Sequence, residues 1–386
     1  MATETADLLI IGSGPAGTSA AEAFRENGGT GRVVICTADT EQPYYRPPLS
    51  KDFLQGESEA TEIGMHDSAW YDDNSVEVRT GCRVERIDVQ NETVVTSDGG
   101  SIGYRSLVLA SGAAPVPLPV DGGDSVLLLR SLADAARLRD ASVDAKSAVV
   151  IGAGFIGCEA AASLAARGIA TTIVAPERLP QLERLGEEAG TRLLRIVEAA
   201  GVRYSGGAEV VAVEPHAVTL SSGVRLDADV VLAATGIGPQ AELASEAGLA
   251  VEGGRIVVDA NMRTSVHNVF AAGDVAIAHN TTANRAVATE HWQDAVDQGT
   301  VAGSSAAGAS AEWDSVPGFW TTIGNETVKY AAWGDGYDTA HLIDHGDGFT
   351  VWYSTDGVTV GALTHNADAD YEIAESLVRE RRSPPG

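Results

Sequence analysis

The sequence predicts an α/β protein with two Rossmann-like dinucleotide-binding domains and a small α+β domain after them. Three observations carry that expectation. A glycine fingerprint sits inside a strand–turn–helix–strand unit; the unit recurs 140 residues on, from Gly12 to Gly152; and the last part of the chain holds short β runs separated by Gly and Asp turns.

Residues 7–11 (DLLII) form an apolar, β-rich run that enters GSGPAG at 12–17. TSAAEAFREN then reads as a small-residue helix and RVVIC at 32–36 as the next strand. Gly12 permits the tight turn, Gly14 lets the backbone approach a pyrophosphate, and Gly17 lets helix and strand pack closely. The N-terminus of such a helix turns its N–H groups and positive dipole end towards phosphates. Asp39 lies just past the second strand, where a carboxylate accepts from ribose hydroxyls. The same order returns as SAVVI at 147–151, GAGFIG at 152–157, the helical CEAAASLAARG and the strand ATTIV at 170–174. One glycine turn is an ordinary way to start a helix; two inside complete βαβ units indicate two nucleotide sites.

LVLASGAAP at 107–115 and VVLAATGIGP at 230–239 are apolar strands that end in small-residue turns closed by proline, one after each fingerprint. Beyond residue 240, RIVVDANMRTSVHNVFAAGDVA supplies two short β runs ending at AAGD (271–274). Helical spacing resumes through RAVATEHWQDAVDQGTVAGSSAAG, and GSSAAGASAE at 303–312 reads as the join to the last domain. TVKYAAWG and FTVWYS are strands of that domain, and DYEIAESLVRERR is its closing helix.

Composition narrows the function. A chain of 386 residues holds two or three domains. The formal charge of −28 repels a phosphate backbone and an anionic bilayer, so neither nucleic acid nor membrane is an expected partner. No apolar run reaches the roughly 20 residues of a membrane span, and the first residues run straight into a strand with no basic region, which places the protein in the cytoplasm. Cys36, Cys82 and Cys158 form no Cys-x-x-Cys pair, so no metal site and no redox dithiol is expected. Only three lysines occur, Lys51, Lys146 and Lys329, against 23 arginines. That bias suits a GC-rich genome, and the acidity suits a high-salt cytoplasm.

GSGPAG, PYYRPPLSK at 43–51, GAGFIGCE at 152–159, ATGIGP at 234–239, AAGD at 271–274 and EHW at 290–292 together resemble the pyridine-nucleotide flavin reductases. PYYRPPLSK resembles their ferredoxin, rubredoxin and putidaredoxin reductase branch, which is similar to apoptosis-inducing factor. The resemblance implies an FAD-binding domain from 1–114 and 244–308, an NAD(P)H-binding domain at 115–243 inserted within it, and a C-terminal α+β domain at 309–386. Carried over by position, Gly12, Gly14 and Gly17 hold the FAD pyrophosphate and Asp39 the adenosine ribose. Lys51 approaches the isoalloxazine, Val84 the adenine side, Arg130 the flavin region, Asp274 the ribityl or phosphate side, and Trp292 the flavin edge. The further cofactor positions implied are Pro15, Ala16, Arg46, Ala110, Ser111, Gly112, Gly273, Glu290 and His291, with Gly152, Gly154, Phe155, Ile156, Gly157, Thr235 and Gly236 around the second fingerprint.

A lysine beside the reactive flavin edge stabilises the anionic reduced ring. Glu159, just past Gly157, is then placed near the nicotinamide and pairs with Lys51, because a buried lysine is costly alone. Trp320, in FWTTIGNE at 319–326, stands over the flavin or on the electron-exit face, or else is a core tryptophan. Thr321, Thr322 and Ile323 depart from the family pattern, which implies a changed acceptor surface.

The resemblance thus implies an enzyme that takes hydride from NAD(P)H onto FAD and passes electrons singly to a ferredoxin-like iron–sulfur protein. A reductase of a small acceptor such as a quinone or oxygen, and a flavin-bearing redox sensor, are the alternatives; either a monomer or a homodimer is compatible. The nucleotide is left open. Ala175 stands where NADH-using members carry glutamate; Glu177 offers a carboxylate two residues on, while Arg178 or Arg184 offers a partner for a 2′-phosphate. RERR at 379–382 and the arginines at 178–195 are the candidate basic faces for an acidic protein partner.

Overall fold

The computed structural model describes residues 4–385. The chain forms two compact units, one from Met1–Tyr45, Ile63–Ala114 and Gly238–Pro317, the other from Arg46–Glu62, Pro115–Ile237 and Gly318–Gly386. It passes between them just after each small-residue strand end, at Ala114 and at Ile237.

The first unit is organised on the strand Glu4–Ile11. Its Leu8, Leu9 and Ile10 are fully buried, as a strand covered on both faces requires. It pairs in parallel with Val33–Cys36 on one side and with Ser101–Leu109 on the other; Leu9 lies level with Val34 and Leu107. Val76–Arg79 extends the sheet past Val33–Cys36, and Val269–Ala271 joins Ser101–Leu109, also in parallel. The helix Pro15–Glu26 starts on a proline in its first turn, where the missing N–H is no loss, and breaks at Asn27 before Gly28 with φ +78°.

A second helix, Trp292–Ala306, lies along the first. A Cβ at Gly299 would stand 2.3 Å from the Ala16 carbonyl oxygen, and one at Gly303 2.1 Å from that of Ala20. The two helices therefore touch backbone to backbone, and only glycine fits at the crossing. This corrects two sequence expectations. GSSA at 303–306 is the last turn of a packed helix rather than the start of a linker, since close helix packing and a flexible join call for the same small residues. Arg285–Ala288 is a strand antiparallel to Ala276–Asn280, so the helix begins only at Trp292.

The second unit repeats the parallel arrangement with the strand order Arg203–Gly206, Ala170–Ala175, Ser147–Ile151, Val230–Ala233. Its helix Phe155–Ala166 follows the glycine turn. A five-stranded antiparallel sheet carries the tail in the order Gly318–Ile323, Glu326–Ala332, Val358–His365, Phe349–Thr355, Thr339–Asp344. The helix Asp368–Arg379 places Ala374 and Leu377 on Ala331, Trp352 and Ala362 of that sheet. The opposite face shares a core with the parallel part, in which Phe319, Val328 and Tyr353 join Ala161, Leu164 and Leu185.

Candidate functional site

The first glycine turn is fixed by sterics. Gly12 has φ +109°, and a Cβ on it would lie 2.2 Å from the Ala110 carbonyl oxygen; one on Gly17 would lie 2.0 Å from the oxygen of Gly12. Gly14 is the N-cap of the helix and Pro15 and Ala16 open it, so no side-chain acceptor occupies the N-cap position over the first-turn N–H groups. Ser13 Oγ donates to Thr37 Oγ1 (2.9 Å), and the Asp39 N–H donates to the same oxygen (3.2 Å). The Tyr44 hydroxyl donates to Asp39 Oδ2 at 2.7 Å and holds that half-buried carboxylate in place. Tyr44 is a member of this cradle that sequence reasoning missed, although it lies in the PYYRPPLSK motif.

Around the same turn, the Ala110 N–H donates to Ile11 O, and Ser111 Oγ donates to Gln240 O at 2.8 Å, with Gly112 next at φ +65°. Gly273 has φ +81°, its N–H donates to the buried Gln298 Oε1 at 2.9 Å, and its α-carbon faces Ala16 so closely that a Cβ would lie 3.1 Å from the Ala16 methyl. Asp274 is therefore buried beside the start of the Pro15–Glu26 helix. Val84 is buried at the first residue of its strand. Arg255 holds the Glu290 carboxylate, His291 is the N-cap of the helix that begins at Trp292, and the Trp292 ring meets Tyr45 at 5.4 Å.

The second turn reproduces the first in the other unit. Gly152 has φ +108°, and its Cβ would lie 2.3 Å from Ala234 O; that of Gly157 would lie 2.3 Å from Gly152 O. Gly154 caps the Phe155–Ala166 helix, again with no side chain to offer, and Gly236 has φ +107° in open space. Thr235 Oγ1 donates to Val116 O at 3.4 Å. Phe155 packs on Phe319 with ring centres 4.8 Å apart, and Ile156 is exposed.

Ala175 is buried at the end of Ala170–Ala175. Beyond it, Glu177 Oε1 accepts from the Glu183 N–H at 2.7 Å, at the start of the helix Leu182–Ala199. Arg178 pairs with Glu187, and the Arg184 guanidinium lies over the rings of Phe319 (5.7 Å) and Tyr330 (5.5 Å). Both arginines considered for a 2′-phosphate thus already have partners.

Lys51 and Glu159 do pair, at 2.9 Å from Nζ to Oε2. Pro47–Ser50 forms one 3-10 turn after Arg46, and the segment is stapled along the Phe155–Ala166 helix. Ser163 Oγ donates to Ser50 O (2.7 Å) and Arg167 Nη1 to Leu54 O (2.9 Å). Glu159 is 3% exposed and Lys51 keeps 17% of its side chain accessible. Three more donors reach the carboxylate. Ser50 Oγ donates to Oε2 at 2.5 Å, Thr321 Oγ1 to Oε1 at 2.7 Å, and the Thr322 N–H to Oε1 at 3.3 Å. Ser50, Thr321 and Thr322 were not expected here, and no local signal links residues more than 100 positions apart.

Trp320 is 48% exposed, opposite Lys329 in the sheet, which removes the core reading. Arg130 is half-buried ahead of the capping box that Ser131 and Asp134 form, with its own N–H donating to Asp134 Oδ2 at 3.3 Å. Cys82 lies beside Cys36, a proximity that the absence of a Cys-x-x-Cys pair did not reveal, and the Cys36 thiol is pushed up by burial and by this neighbour. Burial, with Glu159 next to it, pushes the Cys158 thiol up to about 12. Among the described residues the cysteines are free, no cluster of side chains could hold a metal, and no helix is long and apolar enough to cross a membrane.

Comparison with known proteins agrees with this geometry. The pattern of the pyridine nucleotide-disulphide oxidoreductase family matches residues 6–299. A rubredoxin–NAD(+) reductase of Pseudomonas putida is 34% identical over 83% of this chain and 85% of its own. The ferredoxin–NAD(+) reductase component of the anthranilate 1,2-dioxygenase system of Burkholderia cepacia is 33% identical over 98% and 95%. Among solved structures, the covalent putidaredoxin reductase–putidaredoxin complex superposes with a TM-score of 0.92 at 28% identity, covering 99% of this chain and 94% of that one.

Proposed function

The chain belongs to the pyridine nucleotide-disulphide oxidoreductase family, and from that membership we propose an FAD-dependent NAD(P)H oxidoreductase that passes electrons singly to a small iron–sulfur protein of the ferredoxin type. The observation that carries this reading is the pair of matching glycine turns, one in each unit, each ending at a glycine-capped helix. The residues present fit two dinucleotides: the close approaches at Gly12 and Gly152 leave no room for a Cβ, and the N-cap glycines leave the helix starts open to phosphate.

We assign the first turn, with Asp39 and Asp274, to FAD and the second to the nicotinamide nucleotide. Residues 1–114 and 244–308 then form the FAD domain, 115–243 the NAD(P)H domain and 309–386 the C-terminal domain. When bound, FAD supplies hydride acceptance and one-electron release, which no side chain offers. The protein's part is placement and charge. Asp39, steadied by Tyr44, accepts from a ribose; Lys51, held by Glu159, presents a fixed positive charge to the reacting ring; and the exposed Trp320 marks the exit face. Thiol relays are disfavoured by the buried Cys36 and Cys158, whose raised proton affinities keep them protonated. The cytoplasm, where free thiols persist, is the proposed compartment.

NADH is the proposed donor. Arg178 is neutralised by Glu187, Arg184 lies on aromatic rings, and Glu177, two residues past the strand end, keeps a carboxylate that a 2′-phosphate would meet. Anaerobic titration of the flavin-loaded protein tests both statements. NADH should bleach the visible flavin band with kcat/KM about tenfold or more above NADPH, and a ferredoxin should then relay electrons to cytochrome c. Bleaching by neither nucleotide would refute the reductase reading; equal use of both would refute the donor assignment. Turnover with quinone but with no iron–sulfur protein would establish the small-acceptor alternative.

A further inference from the structure

Four donors on one buried carboxylate raise the question of what the neutral ones do. Lys51 and Ser50 share Oε2 of Glu159; Thr321 and the Thr322 N–H share Oε1. The donors come from the Arg46–Glu62 segment and from the strand Gly318–Ile323, so three separate parts of the second unit meet on one side chain. Thr321 is buried, and its hydroxyl has Glu159 as its hydrogen-bond partner. The Thr322 N–H is the weaker of the two contacts to Oε1 at 3.3 Å.

We infer that Thr321 is a positioning residue for the reaction: its hydroxyl locks the rotation of the Glu159 carboxylate so that Oε2 is presented to Lys51, and thereby fixes where the ammonium charge stands. The physical ground is the torsion about a carboxylate, which is broad and soft when only one oxygen is held and narrow when both are. Two hydroxyl donors also spread the negative charge over both oxygens, so the ammonium is held by a shared rather than a concentrated charge. Cys158, adjacent on the helix and kept protonated by burial, adds no charge to the cluster. The departure of Thr321 and Thr322 from the family pattern then has a role in this chain. It secures the buried carboxylate from the C-terminal sheet, rather than reshaping only the acceptor face.

This inference rests on the reading of Lys51 as the charge that serves the flavin, but its first readout needs neither hydride donor nor acceptor. The chain has three lysines, so protein labelled with 13C and 15N in lysine gives three side-chain ammonium signals. In the flavin-loaded protein the Lys51 protons should exchange with water more slowly than those of Lys146. Thr321→Val, which keeps the shape and removes the hydroxyl, should shift the Lys51 signal and speed its exchange several-fold, leaving Lys146 and Lys329 unmoved. Thr321→Ser should restore the wild-type signal, and Thr321→Ala serves as a second hydroxyl-free variant should the first fail to fold. Stopped-flow reduction by NADH should slow in Thr321→Val at saturation with little change in the apparent NADH affinity, and recover in Thr321→Ser. An unchanged Lys51 signal in Thr321→Val, or a changed signal with an unchanged limiting rate, would overturn the positioning role while leaving the reductase intact. A wild-type flavin that NADH does not reduce would instead refute the function, whatever the lysine signals show.

Discussion

A glutamate that is 3% exposed is stable as a charge only if its surroundings replace the water it has lost, and around Glu159 they do so through one cation and three neutral donors. Removing the lysine and removing the carboxylate therefore have different consequences. Lys51→Ala leaves Glu159 with its neutral donors and should keep the fold and the bound flavin, while slowing flavin reduction about 100-fold, as loss of one electrostatic stabiliser does. Glu159→Gln leaves a half-buried ammonium facing an amide and should cost about 2 kcal/mol or more of stability besides slowing the reaction. Stopped-flow rates and thermal melts on the two variants separate these effects; equal melting points would show that the pair is not coupled to the fold. Lys51 and Glu159 were legible because the resemblance gives each a place near the cofactors and opposite charges suggest a pair, whereas Ser50 and Tyr44 share the motif of Lys51 without any such signal. Ser50, Thr321 and Tyr44 were not legible, since a hydroxyl becomes a carboxylate donor only once folding brings chain segments together.

Elements show the same division. The two βαβ units were legible to within three residues because a buried parallel strand needs a continuous apolar run and its glycine turn admits no Cβ, the helices beginning inside the glycine motifs rather than after them. The helix Trp292–Ala306 was misread at both ends, since Ala, Gly and Ser at 299–306 are as compatible with a linker as with backbone contact at Ala16 and Ala20. Neither reading foresaw what ties the first sheet together at its edge. Glu4 on the central strand pairs with Arg32, ahead of Val33–Cys36, and with Arg79 on the outer strand. Hydrogen bonds from Arg79 and Arg32 hold the Glu4 carboxyl at about 2, from an ordinary value of 4.5. A carboxyl depressed in the folded state stabilises fully above its unfolded value, and that contribution is lost as pH falls from 4.5 through about 2. The cluster is solvent-exposed, so screening limits each pair to roughly 0.2–1 kcal/mol. Glu4→Gln should lower the melting temperature by about 1–3 °C at neutral pH and by less as the acid limit is approached. A constant difference across the range would show that the carboxylate contributes by packing alone.

At the scale of the whole molecule the dominant fact is the net charge of −28, and four of the arginines at the two expected basic faces already have acidic partners. Arg178 and Arg192 pair with Glu187 and Asp344, and Arg379 and Arg382 with Glu375 and Glu380. An arginine already neutralised by a neighbour steers a distant anion weakly, because the two fields cancel beyond a few ångströms. An acidic iron–sulfur protein therefore approaches against repulsion until salt screens it. The screening length is about 30 Å at 0.01 M, 10 Å at 0.1 M and 3 Å at 1 M. With such a protein as acceptor, kcat/KM should rise with ionic strength, about tenfold or more between 0.01 and 1 M, whereas with an uncharged quinone it should barely move. The nicotinamide half-reaction, followed as flavin reduction in the absence of any acceptor, serves as the control for salt effects on the protein itself. A rate that falls steeply with salt for the acidic acceptor would mean that a positive docking face exists away from both arginine clusters, and the charge of the whole chain would then say little about its partner.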